Sequence, residues 1–102
     1  MFEELFYNRL IQLRNQKGVS ARDMSLSIGQ SPGYINGIEN RNNLPSMTAF
    51  FYICDYFNIS PKEFFDDGIK NPEKFNELIR DLKSLDGEQL AGVVAIVKSM
   101  RK

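Results

Sequence analysis

From Phe2 to Lys17, apolar side chains return every third or fourth position: Leu5, Phe6, Leu10 and Leu13 share a face, with Arg9, Gln12 and Gln16 on others. That spacing predicts an amphipathic helix, closed by Gly18 because glycine readily takes the left-handed backbone that ends a helix. Ser20 reads as the N-cap of a second helix, and Asp23 three positions later completes a variant capping box. Met24 and Ile28 are its expected inward positions, and Gly29 closes it. A third helix is expected from Ser31, with serine as the cap and Pro32 at the first helical position, where a missing N–H costs nothing. Ile35 and Ile38 face inward, and Asn40 ends the pattern. After the polar loop RNNLP, Ser46 caps a fourth helix reaching about Phe57. Ser60-Pro61 repeats the cap-plus-proline start for a short fifth helix, with Phe64 and Phe65 expected to pack inward.

Asp67-Gly68 and Asn71-Pro72 then interrupt the pattern, so a boundary is expected near residue 68, dividing 1–68 from 69–102. Beyond it, Phe75, Leu78, Ile79, Leu82 and Leu85 form one stripe. Asp86-Gly87 separates this from a second stripe of Leu90, Val93, Val94, Val97 and Met100. The fold class is all-α, five helices followed by two, without internal repeat or low-complexity segment. The last two read as a helical hairpin that either packs back on its own domain or pairs with a second copy. The dimerisation candidates are Phe75, Leu78, Ile79, Leu82, Leu90, Val93, Val94 and Val97.

Composition narrows the function. A chain of 102 residues, 42% hydrophobic and 25% charged with eight phenylalanines, can build one small core, and dimerisation is a common remedy for its marginal size. No apolar run approaches the roughly 20 residues that cross a bilayer, and MFEELFYNRL lacks a signal peptide's basic start, so a cytoplasmic protein without membrane contact is expected. Cys54, the single cysteine, sits in the apolar run AFFYICDYF and reads as core filler. Histidine is absent, which removes the commonest general base and metal ligand. With no phosphate-binding glycine loop and no nucleophile elbow, neither an enzyme nor a cofactor or metal is expected. Net charge is zero: residues 1–68 hold six basic and eight acidic side chains, and residues 69–102 hold seven and five. Any attraction for DNA must come from how charges are placed.

The pair Ser20–Ile28 and Ser31–Asn40, joined at Gly29-Gln30, has the form of a helix-turn-helix. With LRNQKGVSARDMS, IGQSPGYINGIEN and LPSMTAFFYICDYFNISPKEFF in series, the chain resembles the Cro/repressor, or XRE-type, regulators with a five-helix lambda-repressor-like DNA-binding domain. It is similar in particular to the small single-domain forms of Firmicutes with PSYIN-type third helices. The likeness covers about two-thirds of the chain.

It implies double-stranded DNA as partner, with the third helix in the major groove and Pro32, Gly33, Tyr34, Asn36 and Gly37 toward base edges. Asn36 is the best reader, since its amide can pair bidentately with adenine. Tyr34 either touches a thymine methyl or a phosphate, or merely covers the helix flank. Phosphate contacts fall to Arg14, Ser20, Arg22, Ser31, Asn40, Arg41, Asn42 and Asn43, and Arg14 is expected to pair with Glu39. Three positions depart from the family pattern: Ala21 replaces a phosphate-holding glutamine, Arg41 a common glycine, and Gly37 a polar residue. The implied function is a sequence-specific transcriptional regulator, most often a repressor, reading a palindromic operator as a homodimer without a small-molecule ligand. Zero net charge and the glycine-rich third helix leave a second reading open, an antitoxin-like or scaffold module that keeps the fold but little DNA contact.

Overall fold

The computed structural model describes residues 2–66, 68 and 70–101. Among them the chain forms seven helices and no strand: α1 (Phe2–Lys17), α2 (Ala21–Ser27), α3 (Tyr34–Glu39), α4 (Met47–Phe57), α5 (Pro61–Phe64), α6 (Pro72–Lys83) and α7 (Gly87–Met100). Of the break at Asp67-Gly68, Asp67 lies outside the described residues.

Local chemistry sets most of these limits. Ser20, Ser46, Ser60, Asn71 and Asp86 each accept the backbone N–H three residues on, at 3.0, 3.1, 3.1, 3.3 and 2.8 Å. Each bond satisfies an orphan donor and contributes about 1 kcal/mol. At the far end of α2, Gly29 has φ +77° while its N–H donates to Leu26 O and that of Gln30 to Ser25 O. This is a Schellman closure, and glycine at its left-handed position is unstrained.

The start of α3 differs from the expected one. Ser31 is not its cap: the Tyr34 N–H donates to Ser31 O at 3.1 Å, closing a tight turn. Pro32 and Gly33 are the central residues of that turn, and Gly33, at φ −92° and ψ 3°, becomes an N-cap without a side-chain bond. Proline followed by a residue near (−90°, 0°) is the geometry of a type I turn, so Pro32 serves the turn rather than the helix. The regular helix spans only Tyr34–Glu39.

The core joins Phe6, Tyr7, Leu10 and Leu13 of α1 to Met24, Ile35, Ile38, Phe50, Ile53, Cys54, Phe57, Ile59 and Phe64, with Ile28 half-buried against it. The Phe64 ring stacks on Phe6 at 5.3 Å and meets Phe50 edge-on at 5.2 Å. Leu5 and Phe65, both expected inward, are exposed. Leu5 shares the three-to-four-residue spacing but sits on the stripe's edge, and Phe65 is the C-cap of a four-residue helix whose inward place is taken by Phe64.

Arg9, expected on a solvent face, is 3% exposed. Its Nε donates to Phe64 O, Nη2 to Glu63 O and Asp66 O at 3.0 Å each, and Nη1 to Gln12 Oε1 at 2.7 Å and Lys70 O at 3.4 Å. A guanidinium thus closes the carbonyl end of α5, where the helix dipole favours a cation.

The first turn of α6 packs on this unit. Pro72 is buried, Asn76 Nδ2 donates to Glu63 Oε2 at 2.8 Å, and Lys17 reaches Glu73 at 3.3 Å. Beyond that turn the two last helices project. The radius of gyration is 16.9 Å, against about 13 Å for a compact chain of this length, and the extents are 51 × 27 × 22 Å. α7 buries no residue. Phe75, Leu78, Leu90, Val94 and Val97 are exposed, and Ile79, Leu82 and Val93 are half-buried.

Candidate nucleic-acid interface

The angle between α2 and α3 is held by one hydroxyl. Ser25 has no exposed surface; its Oγ donates to Ala21 O at 2.7 Å and accepts the Ile35 N–H at 2.9 Å. The second bond satisfies a donor of the first turn of α3, which has no side-chain cap of its own. Ile35 and Ile38 are fully buried beneath. α3 therefore stands rigidly on the core with its other face in solvent.

That face carries Ser31, Pro32, Gly33, Asn36 and Asn40, all exposed. Gly37 is half-buried, and a Cβ added there would lie 3.3 Å from Asn43 Oδ1. The Asn42 N–H donates to Gly37 O at 2.9 Å, so the loop folds back over the end of α3 and brings Gly37, Asn42 and Asn43 together. Tyr34 is half-buried against the core, and burial pushes its phenol pKa up. At the start of α2, Arg22 and Ser20 are exposed. The Ser20 oxygen accepts the Asp23 N–H at 3.0 Å, which leaves its own O–H free to donate.

Arg14 ties the two ends of this surface. Its Nε and Nη2 donate to Glu39 Oε2 and Oε1 at 2.6 and 2.9 Å, and Nη1 donates to Val19 O at 2.9 Å, next to the α2 cap. One guanidinium thus spans from the entry of α2 to the last residue of α3. Glu39 lies at the negative end of that helix dipole, an unfavourable place for a carboxylate, and Arg14 offsets it. The hydrogen bonds to Glu39 raise the Arg14 pKa above its ordinary value.

Arg41, the last of the expected phosphate residues, is engaged within the chain. It pairs with Glu4 of α1 and lies over the Tyr7 ring.

Ser25, Arg9 and Glu4 were not singled out from the sequence. Arg9 follows Phe6 by three and precedes Leu13 by four, so the spacing did place it on the buried face. Its charge argued the other way. Ser25 directly follows Met24 and carried no such signal.

Among the described residues no group of acidic or cysteine side chains could hold a metal ion, and no helix is long and apolar enough to cross a membrane. Burial pushes the Cys54 thiol up to about 11, and Asp55 adds to the shift. A family model for the helix-turn-helix matches residues 10–64, from within α1 to the end of α5. No curated protein and no solved structure matches the chain.

Proposed function

The chain belongs to the XRE-type helix-turn-helix family of DNA-binding transcription regulators, and we propose that it reads a palindromic operator as a homodimeric repressor. The observation that carries this reading is the anchoring of α3: Ile35 and Ile38 are buried beneath it while Pro32, Gly33 and Asn36 stay exposed.

In the proposed complex α3 enters the major groove. The Asn36 amide donates to and accepts from the N6/N7 edge of adenine, and Gly33 and Gly37, lacking side chains, let the backbone come close. Gly37 also leaves room for Asn43, which joins Asn40, Asn42, Ser31, Ser20, Arg22 and Arg14 as phosphate contacts that set register. With few bases read per copy, one domain binds modestly and two are needed. α7 supports that need, because an apolar helix with no buried residue leaves a large surface for a second copy to cover. Two copies would set their reading helices about 34 Å apart on successive major grooves. Repression follows from occupancy, since a bound dimer blocks whatever else would use the site.

The test is fluorescence-anisotropy binding to randomised duplexes, selected at low salt and measured again at physiological salt. An enriched palindrome is expected, with affinity falling steeply as salt rises. Asn36→Ala should cost about 1–3 kcal/mol, roughly 5- to 150-fold, and relax the preference at one base pair per half-site. Weak binding indifferent to sequence and to Asn36 sinks the operator reading. A module that binds protein through the same fold would then take its place.

A further inference from the structure

Arg41 occupies a position that usually belongs to glycine. It follows the α3 C-cap with φ +65°, its N–H donating to Ile38 O at 2.9 Å while the Asn42 N–H donates to Gly37 O at 2.9 Å. This is the same Schellman closure that Gly29 makes after α2. A side chain there strains the backbone, and such outliers persist where the side chain has a function to serve.

The Arg41 side chain is fully committed inside the free protein. Nε donates to Glu4 Oε1 at 3.1 Å and Nη2 to Glu4 Oε2 at 2.9 Å and Asn8 Oδ1 at 3.4 Å; Nη1 donates to Glu39 O. The guanidinium lies 5.0 Å over the Tyr7 ring. Two parallel N–H···O bonds to one acid group are also how arginine grips a phosphate. The pair is open to solvent, with side chains 40% and 58% exposed, so exchanging one partner for another carries little desolvation penalty. Glu4 sits in the first turn of α1, where the helix dipole favours a carboxylate even without Arg41.

We propose that Glu4 is an internal stand-in for a DNA phosphate, holding the Arg41 fork in the free protein and competing with DNA for it. Resting on the DNA-binding reading, this makes Glu4 a residue that sets affinity through Arg41. The Tyr7 face keeps the guanidinium plane in place while its edge changes partner. In the free state one of the few basic groups beside α3 is thereby neutralised, consistent with a chain whose residues 1–68 carry two more acidic than basic groups.

The test compares the full chain with Glu4→Gln, Arg41→Ala and the double variant, each titrated on the selected duplex and on a random 20-base-pair duplex across a salt series. Glu4→Gln should bind about threefold tighter per protomer. Its log–log salt slope should steepen by about 0.9 per protomer, the signature of one more phosphate neutralised, which a purely structural role for Glu4 would not produce. The tighter binding should vanish when Arg41 is alanine, which separates release of Arg41 from mere loss of a negative charge. Thermal melts check that each variant folds. If Glu4→Gln binds equally or more weakly, or if its advantage persists without Arg41, the competition is refuted while DNA reading stands. If neither the wild-type chain nor Glu4→Gln binds either duplex at low salt, the DNA reading falls and takes this proposal with it.

Discussion

Replacing Glu39 with alanine leaves the Arg14 guanidinium with the Val19 carbonyl, at 2.9 Å, as its remaining acceptor. The two side chains are only 17% and 10% exposed. Breaking a fully buried ion pair costs about 3–5 kcal/mol, because the surviving charge is stranded, whereas a solvent-exposed pair contributes about 0–1 kcal/mol. Partial exposure lets water reach Arg14, so the expected loss lies between those limits, about 2 kcal/mol. In a domain of this size each kcal/mol moves Tm by about 4–8 °C, which puts Glu39→Ala about 10 °C below wild type. Glu39→Gln keeps one acceptor and should fall between the two. Thermal melts followed by circular dichroism, with Arg14→Met and the double variant to close the cycle, measure the coupling directly. The double variant should recover part of the loss, since it buries no unpaired charge. A Glu39→Ala melt within about 2 °C of wild type, or a coupling below about 0.5 kcal/mol, would refute the reasoning.

Other outcomes follow from the same interactions. Arg9→Met should cost about 3 kcal/mol in urea unfolding, because it leaves the carbonyls of Glu63, Phe64 and Asp66 without their donor; a loss under about 1 kcal/mol would mean water replaces it freely. Val94→Glu with Val97→Glu, both on exposed positions of α7, should halve the mass seen by sedimentation while leaving helix content unchanged. A monomeric wild-type chain, or a doubly substituted one that stays dimeric, contradicts the assignment of α7. The Ser60 N–H at 3.0 Å and then the Asn76 amide at 2.8 Å hold the Glu63 carboxyl below its ordinary range. A depressed folded pKa contributes stability that is present above the unfolded value of about 4.3 and lost as pH falls through the folded one. The urea-midpoint gap between wild type and Glu63→Gln should therefore narrow on acidification, and a gap constant from pH 7 to pH 3 would exclude this role.

What the sequence determined by itself is the order and most limits of the helices. The Ser20, Ser46 and Ser60 caps and the glycine exits at Gly18 and Gly29 act within one turn of chain, so residue type alone specifies them. Periodicity likewise marked Leu10, Leu13, Met24, Ile35 and Ile38 as inward, and all five are buried. The exposed surface of α3 was legible for the same reason, being the complement of two buried isoleucines. The start of that helix was not, because Ser31-Pro32 suits a cap and a type I turn equally well, and the choice rests on where the Ser31 carbonyl is used.

Only the tertiary structure decided the rest. Arg9 finds its acceptors more than fifty residues along the chain, Ser25 finds the Ile35 N–H across the turn, and Arg41 finds Glu4 on another helix. Whether a polar group is buried depends on partners brought together by the packing of distant segments, and no local pattern carries them. The same holds for α6 and α7. Their stripes were plain in the sequence, but packing places Pro72 and Asn76 against the core and leaves α7 without a buried residue. An apolar stripe says that a face must be covered, and only the arrangement of the other helices says whether its own chain can cover it.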